Sequence, residues 1–336
     1  MNLKCVLVFL LLLTASTAVA AAETPQSSLL VLSKGELTLS IVDPGTLRVV
    51  ATVPSGPDPH EVIASEDGKT AYISNYGGGT FNTITVVDLV AQKALPIIDL
   101  GALRGPHGLT FVAGKLWFTV EGSKAIGSYD PATQKVDWIL GTGQDRTHMI
   151  YVSSGLSPIF TTNVNSATVS VIEQSETAER GPGGRHPNWT EAVIPVGKGS
   201  EGFDVSPDGK EIWVANAKDG TISVIDVSSK EVVQTIDANA RGANRLKFTL
   251  DGKLALVSSL GGKDAVVFDR ATRKEVKRIT VGNGAAGILM QPDGTRAFVA
   301  CTPDSYVAVI DLKTLHMTGK ITAGKNPDGL AWAARK

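Results

Sequence analysis

Short apolar runs, each closed by an acid, recur along this chain. Ile84-Thr85-Val86-Val87-Asp88 has a near copy in Ile222-Ser223-Val224-Ile225-Asp226, and others stand at Leu39 to Asp43, Ala265 to Asp269 and Val307 to Asp311. Ile126 to Asp130 and Val169 to Glu173 are weaker members. The closing acids fall at 43, 88, 130, 173, 226, 269 and 311, so the period is 42 to 45 residues with one interval of 53. Around Asp208 the order within a period is clear. Gly202-Phe203-Asp204-Val205 runs into the turn Pro207-Asp208-Gly209-Lys210, followed by Glu211 to Asn216, Ile222 to Ile225 and Glu231 to Ile236. Asp-Gly between β-rich runs is a strong hairpin signal. It returns in Glu66-Asp67-Gly68-Lys69, Leu250-Asp251-Gly252-Lys253 and Pro292-Asp293-Gly294-Thr295.

Four antiparallel strands in about 43 residues is the arithmetic of a β-propeller blade, and seven closing acids predict seven blades. No segment carries a 12-residue helical period, so a βαβ fold competes poorly. The chain ends fit a closed ring. Before Asp43 there is room only for strands at Leu29 to Leu32 and Leu37 to Val42, with Arg48 to Val53 after it, so blade one lacks its innermost strand. Gly329-Leu330-Ala331-Trp332-Ala333 is an innermost strand without followers. We therefore expect an all-β, seven-bladed propeller of four-stranded antiparallel blades, with blade one closed by the C-terminal strand and one domain over 23–336.

Residues 1–22 read as a signal peptide: Lys4, then nine apolar residues from Cys5 to Leu13, then Ala18-Val19-Ala20 and Ala20-Ala21-Ala22 as cleavage patterns. Nine apolar residues are too few to span a bilayer, and no later run is long enough. The expected mature chain is periplasmic or secreted, without a membrane span. Of the two cysteines, Cys5 leaves with the signal, so Cys301 has no disulfide partner and reads as a buried thiol. With 32 Lys plus Arg against 33 Asp plus Glu the net charge is −1, and surface aromatics are not regularly interleaved. Both facts argue against nucleic acid as a partner. Gly77-Gly78-Gly79 lacks a Walker lysine and a following helix, so no nucleotide cofactor is expected.

Tyr72-Ile73-Ser74-Asn75, Phe160-Thr161-Thr162-Asn163 and Trp213-Val214-Ala215-Asn216 resemble the tetrapeptide of the YVTN-type propeller family, degrading to Leu256-Val257-Ser258-Ser259 and Phe298-Val299-Ala300-Cys301. Pro106-His107-Gly108-Leu109 with Trp117-Phe118-Thr119-Val120 is more similar to a streptogramin (virginiamycin B) lyase repeat. The resemblance covers almost the whole mature chain and implies a propeller. Its relatives include lactonase-like proteins, metal-dependent lyases and proteins without known chemistry, so it leaves the function open.

In a propeller the first strand of each blade lines the central channel, and the loops leading into it gather on one face. Aligning those positions gives His60, His107, His148, Glu201, Asn244, Ala286 and Asp328, at separations of 47, 41, 53, 43, 42 and 42. Three histidines on consecutive blades and a carboxylate on the next are a candidate metal set: His60, His107, His148 and Glu201. Such donors suit a divalent transition metal (zinc, iron, manganese or copper) better than magnesium or calcium. The same imidazoles also fit a structural role, bracing turns through neighbouring carbonyls. Arg104, Arg146, Arg241 and Arg245 stand close by. With Asn244 and Asp328 they are candidates to bind a small anionic ligand, or they form a solvated, paired rim.

Two classes of function follow. The first is an extracytoplasmic binding protein or scaffold with a polar pocket at the channel mouth, serving a small anionic ligand or an envelope protein partner. The second is a metal-dependent hydrolase or lyase on a small anionic or cyclic substrate. Glu201 is the candidate base for hydrolysis, and the lyase resemblance implies His107 as the proton acceptor. The long period holds an insertion over 174–191, placed on the opposite face, which is either a docking loop or a tolerated insertion. His186 within it and His316 are expected to stay out of the central site.

Overall fold

The computed structural model describes residues 23–336 apart from 176–179, 182–183 and 186–187. The expected signal peptide and His186 lie outside the described residues. Seven four-stranded antiparallel sheets are arranged around an axis, each running from the channel outward in chain order. Blade 1 is the exception. Ser27–Ser33, Thr38–Asp43 and Arg48–Pro54 are joined on the channel side by Pro327–Ala334, whose Trp332 pairs with Leu29. The C-terminal strand therefore closes the ring, as the missing innermost strand required. The other innermost strands are Pro59–Ala64 (blade 2), Pro106–Val112 (blade 3), Thr147–Val152 (blade 4), Ser200–Val205 (blade 5), Ala243–Phe248 (blade 6) and Ala285–Met290 (blade 7).

The second and third strands of each blade read buried over four or more successive positions because both faces of a sheet pack against neighbouring sheets. Leu30, Ile41 and Ile73 fill the space between blades 1 and 2, while Phe298 and Val309 join blade 7 to Leu29 and Val42 of blade 1. The recurring acids have a local task. Asp88, Asp226, Asp269 and Asp311 each accept a backbone N–H three residues on, fixing the turn into the outer strand. In blade 4 the insertion lengthens that outer hairpin: the pairing runs from Thr168 with Pro195 as far as Ser175 with Asn188.

One irregularity recurs in all seven innermost strands. In blade 2, Pro59 pairs with Asn75 and Val62 with Ile73, so His60 and Glu61 together oppose Ser74. The same shift follows Pro106, Thr147, Ser200, Ala243, Ala285 and Pro327. It is a β-bulge, which bends a strand and re-aims side chains. The seven aligned channel positions are the first bulged residue of each blade. In blades 3, 4 and 6 a hydroxyl on the second strand fills the bulge and reaches the next blade. Thr162 Oγ1 accepts from Met149 N (3.3 Å) and donates to the Glu201 carbonyl (2.6 Å). Thr119 links Gly108 N to the His148 carbonyl in the same way, and Ser258 links Arg245 N to the Ala286 carbonyl.

The second bulged residue is glycine in four blades because the neighbouring blade lies against it. A Cβ at Gly108 would stand 2.5 Å from the His148 carbonyl oxygen, and one at Gly202 2.4 Å from that of Asn244. This close approach brings side chains of adjacent blades within reach of one another.

Candidate functional site

Three sets of equivalent residues converge at the channel mouth. The first is the bulge set. Its members His60, His107, His148, Glu201, Asn244 and Asp328 line a cavity of about 290 Å³, together with Lys34, Arg146, Arg245, Leu260, Thr302 and Asn326. The second set lies two residues earlier, where the chain adopts positive φ in every blade: Asp58 (45°), Gly105, Arg146 (60°), Gly199, Gly242, Gly284 and Asn326 (52°). Four are glycine, as that conformation favours. Asp58, Arg146 and Asn326 adopt it nonetheless, and left-handed backbone in non-glycine residues concentrates at functional sites. The third set follows the second strand: Lys34, Tyr76, Glu121, Val164, Ala217, Leu260 and Thr302. Its ionisable members Lys34, Tyr76 and Glu121 fall on blades 1 to 3, beside the imidazoles.

Glu121, in that third set, was not among the sequence candidates and proves central. The ligand atoms of His107, Glu121 and His148 lie within 4.8 Å of one another, and all three residues are buried. The His107 and His148 rings are 3.9 Å apart between centroids. His148 Nδ1 is hydrogen-bonded to Glu121 Oε1. Its Nε2 lies 2.8 Å from Glu201 Oε2, within ion-pair distance but outside the alignment of a hydrogen bond. The other oxygen of Glu121 accepts from the Tyr76 hydroxyl (2.5 Å) and from Arg146 Nε (3.3 Å), and Arg146 Nη1 reaches Glu201 at 3.5 Å. His107 Nδ1 is buried with no partner.

Electrostatics separate the two imidazoles. Burial lowers the pKa of His148, but Glu201 and the hydrogen bond to Glu121 outweigh it, and the net shift is upward. Burial, followed by the neighbouring His148, holds His107 well below the ordinary histidine range, so its nitrogen lone pair stays available. Burial would raise Glu201, yet His148, Arg146 and Arg245 bring it down to about 2. Burial and the bond to Glu121 push Tyr76 up to about 12. In the absence of metal, His148 thus sits between two carboxylates that favour its protonated form. A divalent cation taking the place of that proton answers the same charge.

The donors suit such an ion. Two imidazoles and a carboxylate converge, one ring nitrogen lacks any partner, and hydrogen bonds orient Glu121 from behind, as ligands at metal sites generally require. This is a buried His/Glu/His cluster able to coordinate a divalent metal near the propeller axis. His60 is close, 5.1 Å from His107 between centroids, but engaged elsewhere. Its Nε2 lies 2.6 Å from Lys34 Nζ and its Nδ1 3.2 Å from the Asp58 carbonyl. Lys34 is in turn paired with Asp328 at 3.4 Å.

The candidate anion-binding residues divide. Arg146, Asn244, Arg245 and Asp328 line the cavity. Arg104 and Arg241 are not among its lining residues. Both are exposed, three residues before the bulge, on the outer side of loops whose backbones are tied to neighbouring loops through Gly122 N to the Arg104 carbonyl and Leu260 N to the Gly242 carbonyl. Two residues before the bulge, the left-handed turn at Arg146 points inward. Cys301 is fully buried, and burial raises its thiol to about 11. His316 is exposed, away from the cavity.

The YNCE-like beta-propeller family model matches residues 113–296, more than half of the chain. The chain belongs to the YNCE-like β-propeller family. Many solved structures share the fold of this YNCE-like propeller. A functionally unknown protein from Desulfotomaculum acetoxidans aligns with a TM-score of 0.74 at 13% identity, covering 92% of this chain and 99% of that one. A Bacteroides uniformis protein provisionally assigned as a 6-phosphogluconolactonase aligns at 0.73 and 15% identity, covering 91% and 99%. Kuenenia stuttgartiensis hydrazine synthase aligns at 0.66 and 18%, covering 82% and 89%. At these identities the likeness establishes the fold alone. No curated protein matches.

Proposed function

We propose that this propeller is a metal-dependent hydrolase acting on a small ester or lactone at the channel mouth. The observation that carries it is the buried His107–Glu121–His148 cluster opening onto a cavity with the ionised Glu201 at its edge. That arrangement favours an enzyme over the binding or scaffold reading, because a docking face has no use for a buried, charge-balanced donor set. The provisional lactonase assignment of a fold relative points the same way, without giving this chain a substrate.

His107, Glu121 and His148 would hold the ion, whose chemistry is polarisation of the substrate carbonyl and acidification of a water. Tyr76 and Arg146 fix the orientation of Glu121. With His148 serving as a ligand and its proton released to solvent, Glu201 would lose its imidazolium partner and be free to take a proton from the attacking water. As water oxygen bonds to the acyl carbon, that proton passes through Glu201 to the departing alkoxide. A lyase is the second reading, supported by the neutral His107 with its unpartnered Nδ1 and by the likeness of its blade to streptogramin lyase repeats. There His107 would remove a proton rather than bind metal.

Protein purified without an affinity tag, stripped with chelator and reloaded with zinc, manganese, iron or copper tests the proposal. We expect one equivalent of metal in the wild type, none in a His107→Ala/His148→Ala double variant, and ester or lactone turnover only in the loaded wild type. A wild type that takes up no metal, or metal that survives in the double variant, overturns it. We further propose an extracytoplasmic location on the N-terminal pattern. Mass analysis showing a mature chain that starts at Ala21 or Glu23 supports it.

A further inference from the structure

We propose that Arg245 receives the carboxylate of a small monoanionic substrate, making the far side of the cavity an anchor for acids. The inference takes the site of reaction from the hydrolase reading, but the binding it predicts is independent of turnover.

Arg245 is the second bulged residue of blade 6, where four other blades carry glycine. The side chain crosses the channel to blade 2, and its Nη2 donates to Glu61. Arg245 is only 8% exposed, yet its Nη1 is buried without a hydrogen-bond partner. Burying a guanidinium is costly unless its donors are used, and a structural bridge to Glu61 leaves this one unused. Arg146 is different, because it is already shared between Glu121 and Glu201. Asn244 beside Arg245 and Asn326 on blade 1 line the same cavity, and among the described residues neither side-chain amide has a partner. Arg245 Nη1 is thus a buried, unused donor, with two amides on the same cavity wall.

The charge count selects the ligand class. Asp58, Glu61, Glu121, Glu201 and Asp328 stand against Lys34, Arg146 and Arg245. A divalent ion among them would bring the surroundings to neutrality. A phosphate dianion would meet five carboxylates with a single free guanidinium edge to hold it. A carboxylate needs one such edge and an amide donor, which Arg245 and Asn244 supply. The cavity of about 290 Å³ sets the scale at a short hydroxy or cyclic acid.

Calorimetric titration of chelator-stripped and zinc-loaded protein with lactate, its uncharged isostere lactamide and inorganic phosphate tests this. The wild type should bind lactate at least tenfold more tightly than lactamide or phosphate. Arg245→Met should lose at least tenfold for lactate and little for lactamide, with Arg245→Lys intermediate. Arg245→Met strands Glu61, so an Arg245→Met/Glu61→Gln variant, checked by its melting curve, carries the same prediction with the burial balanced. Unchanged lactate affinity in the double variant overturns the proposal, as does tighter binding of phosphate, or no wild-type binding of lactate up to 10 mM, roughly a −2.7 kcal/mol ceiling on affinity. Arg245-dependent lactate binding in a protein that takes up no metal would leave the anchor standing and remove the hydrolase. Metal uptake with Arg245-independent binding would do the reverse.

Discussion

Blades 2 to 4 and blades 5 to 7 offer the same backbone slots to the channel and fill them differently. At the first bulged position one half carries His60, His107 and His148, the other Glu201, Asn244 and Ala286. After the second strand one half carries Tyr76, Glu121 and Val164, the other Ala217, Leu260 and Thr302. Two residues before the bulge, Asp58 and Arg146 accept left-handed backbone where Gly199, Gly242 and Gly284 do so freely. The fold builds seven equivalent slots, and asymmetric chemistry comes only from what occupies them. Non-glycine left-handed backbone and the carboxylate–imidazole contacts both fall on the side that carries the candidate ligands.

The sharpest way to break that comparison is to remove one ligand from each position. Glu121→Ala should weaken zinc at least 100-fold, about 2.7 kcal/mol, whereas His60→Ala should change it less than threefold, because Lys34 already occupies the His60 nitrogen. Competition with a chromophoric chelator measures both. A large loss in His60→Ala with none in Glu121→Ala would mean that the three histidines act together and Glu121 does not belong, and equal large losses would make His60 a fourth ligand.

Next in size is the close approach of blades 3 and 4. Gly108→Ala places a Cβ 2.5 Å from a backbone oxygen and should cost about 1–3 kcal/mol in denaturant unfolding. Gly141→Ala, on an outer strand with open space, should lie within about 0.5 kcal/mol of wild type. Smaller still is the hydroxyl bridge: Thr162→Ala leaves Met149 N and the Glu201 carbonyl without their partner and should cost about 1–2 kcal/mol. Blade 5 already carries Ala215 there, so Ala215→Thr should bring a much smaller change.

The smallest effect belongs to Cys301 in blade 7. Its thiol, raised to about 11, stays protonated across neutral pH, and only above that value would the folded thiol ionise in quantity. Native protein at pH 8 should take up no iodoacetamide over hours and label fully in guanidinium. Rapid native labelling would show that this half of the ring opens.

Much of the fold was legible because its signals are local. Asp-Gly turns, four-residue apolar runs and closing acids each act within a few residues, and repetition made them countable. The bulge set was legible as a spacing. Glu121, Tyr76 and Lys34 were missed because only the position leading into each blade was aligned. They directly follow the second strand, Glu121 after Trp117-Phe118-Thr119-Val120, and the same alignment one strand later would have exposed them. Arg104 and Arg241 were included on proximity in sequence, which does not tell whether a residue three or two places before a bulge faces the cavity.

The order of strands, the number of blades and the closing of blade 1 by Pro327–Ala334 were written in the chain itself, since each depends on short-range pattern repeated at one interval. Which side chains meet was decided only by the assembled ring. Glu121 reaches His148, Lys34 takes the nitrogen of His60, and Arg245 crosses to Glu61. Those encounters join residues 26 to 184 positions apart. They depend on how a bulge aims a side chain and how closely one blade rests on the next, quantities that no local pattern encodes.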